Sequence, residues 1–166
     1  MPEESSGAAL QQDWRYSSDP LLRDRRVIVG LSIFSATVLG GIALFQVGLV
    51  KKLPDPPVPG FDSDRVHGSE EAYALLETPD ALIGMLSYTG TACLAAAGWQ
   101  DRSHIARWIP LALGAKAALD AGLAGRLAVR QWTAFRKFSF WSLLVAGATV
   151  TALPFAVLEA RRACQK

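Results

Sequence analysis

Two oppositely charged residues, Lys116 and Asp120, interrupt an otherwise apolar run of the sequence. Residues four apart share one face of a helix, so the ammonium and the carboxylate can form an ion pair there. An isolated charge at mid-bilayer costs roughly 2.5 to 3.5 kcal/mol, so intramembrane charges are rare and often functional. The pair is therefore either a functional element, such as a proton path or a lipid-headgroup contact, or a buried structural pair, and the sequence leaves both open.

Two serines, Ser139 and Ser142, lie at the start of the last apolar run and are candidate nucleophiles only if a base lies beside them. Lys116 is the base that a serine-lysine dyad would use. We expect the serines at the outer end of the last helix and Lys116 nearer the middle of the membrane. This separation argues against an intramembrane hydrolase.

Residues that bind metals or form disulfides are few. The chain has two cysteines, Cys93 and Cys164, and two histidines, His67 and His104. Because the cysteines lie 71 residues apart, no disulfide framework and no cysteine-based metal cluster is indicated. We therefore expect no bound metal.

The composition indicates a membrane protein. Of the 166 residues, 51% are hydrophobic and 19% are charged, and the mean hydropathy is +0.22. The hydrophobic fraction and the mean hydropathy are both high for a single soluble domain of this size, which points to the lipid bilayer as a partner. The net charge of +2 is too small to indicate a nucleic-acid partner.

Four apolar runs are long enough to predict an all-α membrane protein built as a four-transmembrane-helix bundle. The first run has 24 uncharged residues, and at about 1.5 Å per residue a helix of that length crosses a hydrocarbon core of about 30 Å. Pro79 and Asp80 suit the first turn of the second helix. The predicted spans are residues 27–50, 81–99, 109–125 and 138–158.

Four spans place both chain ends on one side of the membrane. The basic cluster Arg23, Arg25 and Arg26 precedes the first span and favours a cytoplasmic N-terminus. We expect a mobile polar tail over residues 1–26, a transmembrane domain over 27–160 and a short C-terminal tail over 161–166.

The long loop between the first two spans is predicted to lie outside the cytoplasm. It begins with a proline-rich stretch and continues with an acidic segment at Asp62 and Asp64, where a solvated loop is favoured over a calcium site. Residues 69–76 have apolar positions at helical spacing. They predict a short cap helix across the mouth of the bundle.

The order of these elements, together with residues 69–88 and 131–154, resembles the vitamin K epoxide reductase family in its bacterial type. The resemblance implies a four-helix membrane fold with a quinone pocket under an extracytoplasmic cap. It also implies a Cys-x-x-Cys motif at the start of the last helix, which exchanges electrons with the quinone. A second cysteine pair in the outer loop would pass these electrons to or from a thioredoxin-like partner.

The residues at the family's redox positions are changed in this chain. Ser139-Phe140-Trp141-Ser142 stands where the family has Cys-x-x-Cys, and the loop before Asp80 contains no cysteine. Disulfide exchange needs a thiolate that attacks a sulfur atom, and a serine hydroxyl supplies neither. We expect the dithiol chemistry of the family to be disabled.

The resemblance also indicates where a quinone, of the naphthoquinone or ubiquinone type, would bind. Asp80 stands where the family has an asparagine that donates a hydrogen bond to a quinone carbonyl, and Tyr88, Phe140 and Trp141 are the other candidate contacts. Asp80 has a second interpretation as an acid at a helix N-terminus, and aromatic residues near a membrane interface often act as anchors. A family tyrosine near the motif is replaced by Ala146.

Two classes of function follow. The first is a quinone-site protein of a bacterial inner membrane, with its redox cysteines replaced. The alternative is a non-catalytic membrane subunit, because Gly114, Ala118 and Gly122 give the third span a face of small residues suited to helix contacts. A small-solute carrier would depend on Lys116 and Asp120 and lacks the broken-helix signature of transporters.

Overall fold

A computed structural model of the chain describes residues 3–73, 77–99 and 102–165. Within these ranges the structure is helical, and the predicted all-α class is confirmed. A 3-10 turn spans Glu70–Tyr73 and a π-helical turn spans Gln131–Phe135. Seven α-helices occur in the described residues: α1 Glu3–Tyr16, α2 Pro20–Gln46, α3 Ser63–His67, α4 Asp80–Ala96, α5 Arg102–Ile105, α6 Trp108–Arg130 and α7 Phe140–Cys164.

The N-terminal segment, which we expected to be mobile, is helical and attached to the rest of the chain. Asp19 caps α2 by accepting a hydrogen bond from the Leu22 backbone N–H at 3.1 Å, and Pro20 occupies the first turn. The helix therefore begins before the uncharged run does. The guanidinium of Arg26 donates to three backbone carbonyls at the end of α1, those of Asp13, Trp14 and Ser17.

The four longest helices pack side by side. Helix α2 lies against α4 and α7, and α6 lies against α7, whereas α4 and α6 make fewer contacts with each other. One apolar cluster lies near the end of the molecule that holds α3, and its members include Val38, Ile42 and Val145. A second cluster lies toward the opposite end and includes Ile28, Leu113 and Ala156. The looser contact between α4 and α6 leaves space on that side.

Two of the described helices, α2 and α7, are long and apolar enough to cross a membrane. Their most apolar stretches have mean hydropathies of 2.2 and 1.8. Helix α4 is shorter, with 17 residues, and α6 carries Lys116 and Asp120 at its centre. The charges explain why α6 is less apolar than the two candidate spans.

The segment between α2 and α4 differs in detail from the predicted cap helix. Only the 3-10 turn Glu70–Tyr73 falls in the described part of that prediction, and residues 74–76 lie outside the described residues. Helix α3 was not foreseen. Asp62 caps it by accepting from the Arg65 backbone N–H, and the Asp64 carboxylate accepts from the Leu53 backbone N–H at 2.8 Å.

A short parallel bridge between Phe61 and Phe138 joins this segment to the chain just before α7. The Phe138 backbone N–H donates to the Gly60 carbonyl at 2.8 Å, and the Asp62 N–H donates to the Phe138 carbonyl at 3.0 Å. Because these bonds hold α3 next to the start of α7, side chains far apart in sequence meet there.

We predict that Gly114→Ala loosens the contact between α6 and α7. A Cβ atom at Gly114 would lie 2.7 Å from the Cβ of Ala160 and 3.5 Å from the carbonyl oxygen of Ala156, so the helices would have to separate. We expect a loss of about 1 to 3 kcal/mol in the free energy of unfolding, measured by thermal melting in detergent. Gly122→Ala is the matched control, since nothing lies within 4 Å of its Cβ position. Equal melting temperatures for the two variants would contradict the prediction.

Candidate functional site

The start of α7 is fixed by Ser139, which is fully buried. Its hydroxyl oxygen accepts the Ser142 backbone N–H at 3.2 Å, and its own N–H donates to the side-chain oxygen of Gln131 at 3.1 Å. Before it, Arg136 adopts a left-handed conformation with φ of 53° that lets the chain reverse after the π-helical turn. The serine is therefore an N-cap residue as well as a candidate site residue.

A buried hydrogen-bond network connects this cap to α3. The Nε2 atom of His67 lies 2.9 Å from the Ser139 hydroxyl and 3.1 Å from the Ser142 hydroxyl. The Ser63 hydroxyl lies 3.0 Å from that of Ser139 and donates to the Asp55 carboxylate at 2.6 Å. Ser139 and Ser142 thus have one imidazole nitrogen as a common partner.

Burial lowers the pKa of His67 below its ordinary value of 6.5, and the carboxylates of Asp80 and Asp55 oppose this by favouring the protonated form. The imidazole is therefore held neutral in the folded protein at neutral pH. A neutral Nε2 atom can accept a serine proton or, in the other tautomer, donate one. The arrangement suits hydrogen bonding and proton exchange, and it contains no thiol.

The lowered pKa of His67 predicts that the free energy of unfolding decreases as the pH is lowered. The folded protein binds fewer protons than the unfolded chain between the lowered pKa and 6.5. The contribution of neutral His67 to the free energy of unfolding is thus complete above pH 6.5 and declines as the pH falls from 6.5 toward the lowered pKa. We expect the difference in melting temperature between the protein and its His67→Gln variant to shrink from pH 8 to pH 5. A difference in melting temperature that stays constant over this pH range would contradict the prediction. The control is His104→Gln, which makes the same substitution at an exposed histidine.

A cavity of about 640 Å³ lies beside this network, on the side where α4 and α6 make fewer contacts. His67, Ser142, Asp80 and Tyr88 all contribute to its wall. The rest of the wall is mostly apolar and comes from α2, α4, α6 and α7, including Leu39, Ile83, Leu123, Leu127, Leu143 and Val145. The size and lining are those of a site for a small, largely apolar molecule.

The structure places the predicted quinone contacts in two groups. Asp80 and Tyr88 line the cavity together with Ser142. Phe140 packs edge-on against Phe61 with ring centroids 6.1 Å apart, and the Trp141 indole N–H donates to the Pro54 carbonyl at 3.0 Å. These two aromatic side chains are not among the described residues of the cavity wall and instead hold the segment between α2 and α4 against α7.

Asp80 and Tyr88 both have partners within the protein. The Asp80 carboxylate accepts from the Gln46 side-chain amide at 2.8 Å, and that amide's oxygen accepts the Ala81 backbone N–H at 3.3 Å. The Tyr88 hydroxyl lies 2.5 Å from the Thr149 hydroxyl. Asp80 lies in the first turn of α4, where its negative charge interacts favourably with the positive end of the helix dipole. The same carboxylate also faces the cavity.

Lys116 and Asp120 form an ion pair on α6, with nitrogen to oxygen distances of 2.7 and 3.0 Å. The ammonium also donates to the Ser87 hydroxyl at 2.7 Å, and Thr91 donates to the Asp120 carboxylate at 3.3 Å. Asp120 is only 8% exposed and reaches the cavity wall, as does Ser87. The pair therefore joins α6 to α4 and supplies the inner polar part of the cavity.

A second buried polar cluster, at the opposite end of the long helices, was missed by sequence reasoning. Arg102 and Glu159 form an ion pair in which both guanidinium contacts are 2.7 Å, and both residues are almost fully buried. Arg25, 1% exposed, donates to five consecutive carbonyls that end α4, from Ala95 to Trp99. The sequence indicates Arg25 only as part of a basic cluster that orients the first span.

The described residues thus form a helical protein with a cavity beside the start of α7 and with two helices long and apolar enough to cross a membrane. Residues 26–157 match the sequence profile of the vitamin K epoxide reductase family, so the chain belongs to that family. No curated protein and no solved structure gives a significant match to the chain. The matched range contains the cavity and the Ser139 network.

Proposed function

We propose that this chain is a four-span quinone-binding protein of the vitamin K epoxide reductase family whose dithiol chemistry has been replaced by a hydroxyl and imidazole network. The observation that carries the proposal is the cavity, since Ser142 of the motif lines it together with Asp80 and Tyr88. An apolar cavity of this size with a few polar side chains at one end suits a planar ligand that has carbonyl oxygens. The ligand class is a naphthoquinone or ubiquinone.

Exposed side chains support four spans. Leu86 on α4 is 68% exposed, and Leu119 on α6 is 62% exposed, as expected of residues that face lipid. Trp108 and Trp132 lie at the start of α6 and just after its end, and both are exposed, which is typical of aromatic anchors at the two membrane interfaces. The charges at the centre of α6 point to α4 and to the cavity rather than outward.

The cysteines that remain do not restore the chemistry. Cys93 lies in the last turn of α4 and Cys164 is the last residue of α7, and both are free and exposed. The motif serines lie at the opposite end of α7. A hydroxyl at these positions can donate or accept a hydrogen bond but cannot form a disulfide.

The proposal is tested by restoring both thiols. The protein and its Ser139→Cys/Ser142→Cys variant are purified in detergent, and the reductant-dependent loss of a naphthoquinone is followed by absorbance. We expect turnover by the double variant only, because it regains the dithiol beside an intact cavity. Ser139→Cys alone is the control, since it cannot form the disulfide within the motif. If the double variant is folded and does not turn over, the quinone function is wrong.

We further propose a bacterial inner membrane with both termini in the cytoplasm. Four spans put both chain ends on one side, and the basic residues in the first two turns of α2 favour the cytoplasmic side. Cys164, exposed near the C-terminus, can report this in intact cells of a Cys93→Ser variant. A membrane-impermeant maleimide is expected to label Cys164 only after the cells are lysed. Labelling in intact cells would reverse the proposed orientation.

The second candidate is a non-catalytic membrane subunit, favoured by the small-residue face of α6. Gly114 packs closely on Ala160. Exposed residues of this face are Ala118, Gly122 and Gly125, and nothing lies within 4 Å of a Cβ position at Gly122 or Gly125. Such a surface allows another helix to approach closely. Purification in mild detergent as a monomer without a partner, from cells that express the chain at native level, would count against this function.

A further inference from the structure

A pair of arginines, Arg126 and Arg130, lines the same cavity and has no role in the network at α7. The two residues are four apart on α6, so their side chains share one face of the helix. Both are exposed. In the part of the chain that the structure describes, neither guanidinium has a carboxylate within 4.0 Å or a hydrogen-bond partner.

The other charged groups of the cavity wall are placed differently. Asp120 is paired with Lys116, and Asp80 accepts from the Gln46 amide. Glu71 is exposed on the 3-10 turn, on the wall that this turn forms with α4. The wall formed by α6 therefore carries two free positive charges, beside an apolar interior.

We propose that the opening between α4 and α6 binds an anionic phospholipid, with its phosphate on Arg126 and Arg130 and an acyl chain in the cavity. A guanidinium binds phosphate oxygens through two parallel hydrogen bonds, and two guanidiniums one turn apart can hold one headgroup. Leu123 and Leu127 lie on the same helix beside the arginines and supply apolar surface for the chain. The lipid proposal does not require that the protein bind a quinone, and an acyl chain in the cavity would compete with a quinone for the same space.

The test compares retention of two lipids by the full chain in native mass spectrometry from detergent. Phosphatidylglycerol and phosphatidylcholine with identical acyl chains are added at equal concentration. We expect phosphatidylglycerol to be retained about tenfold or more over phosphatidylcholine, because two arginines attract its negative charge. The Arg126→Gln/Arg130→Gln variant is expected to lose this preference.

The control variant is Arg161→Gln/Arg162→Gln. It removes the same amount of positive charge from two exposed residues in the last turn of α7. It should keep the preference for phosphatidylglycerol. An equal loss in both variants would mean general charge attraction and would overturn the proposal, as would equal retention of the two lipids by the unmodified protein. Glycerol 3-phosphate provides the headgroup without chains. If it raises the melting temperature as much as phosphatidylglycerol does, the cavity holds no chain and the proposal is wrong.

Discussion

Replacing Glu159 with glutamine is expected to lower the free energy of unfolding by about 3 to 5 kcal/mol, because it breaks a buried ion pair while both arginines stay in place. Glu159 is 3% exposed, and its two oxygens accept from Arg102 at 2.7 Å each. A glutamine would turn an amide N–H₂ group toward one of those donors. Arg25 lies close enough for Arg102 to repel it and for Glu159 to attract it, so the loss of the carboxylate leaves two buried cations uncompensated.

The measurement is thermal melting of the full chain in detergent, followed by circular dichroism. A loss of this size corresponds to a decrease of at least about 6 °C for a domain of this length. Glu70→Gln makes the same chemical change on an exposed side chain of the 3-10 turn and should leave the melting temperature nearly unchanged. If the Glu159→Gln and Glu70→Gln variants have the same melting temperature, the buried pair of Glu159 and Arg102 does not stabilise the fold as its contacts indicate.

The main helices could be predicted from the sequence, whereas their ends could not. Long apolar runs located the four long helices, including the third, which Lys116 and Asp120 interrupt, because few other structures bury so many apolar residues in one stretch. The ends depend on single contacts. The Asp19 cap and Pro20 start α2 before the apolar run begins, and α7 continues past residue 158 because Glu159 is buried against Arg102. A prediction from charge alone ends this helix at residue 158.

The candidate site was predictable only in part, for a similar reason. The resemblance to the family located Ser139, Ser142 and Asp80 along the chain. The resemblance does not indicate His67, which lies 72 residues from Ser139 in sequence. The two meet because the bridge between Phe61 and Phe138 holds α3 against α7, and no local pattern reports such a bridge.

Arg25 shows the limit of reading charge from sequence. A basic residue before an apolar run usually marks the cytoplasmic interface, and the sequence gives no sign of burial. The guanidinium nevertheless satisfies the carbonyls at the C-terminus of α4, which would otherwise lack partners. This role depends on the packing of α2 against α4, so only the three-dimensional arrangement reveals it.

Ser139→Ala is the other substitution for which we expect a large effect, a loss of about 2 to 4 kcal/mol in the free energy of unfolding. Its hydroxyl caps α7 through the Ser142 backbone N–H and also contacts Ser63 and His67. Alanine removes all three contacts in a fully buried position. The lost cap contributes about 1 kcal/mol, and the buried polar groups left without this partner account for the remainder.

Ser142→Ala is the matched control, because among the described residues the Ser142 hydroxyl forms a hydrogen bond only with His67, and His67 keeps Ser139 as a partner. We expect it to cost clearly less in thermal melting than Ser139→Ala. Amide hydrogen exchange adds a readout specific to the network. In Ser139→Ala, exchange should accelerate in α3 and in the first turn of α7, since the hydroxyl joins these two elements, while the centre of α2 stays protected. Equal destabilisation by the two alanine variants, with unchanged exchange in α3, would contradict this prediction. It would show that the Ser139 hydroxyl does not link α3 to α7.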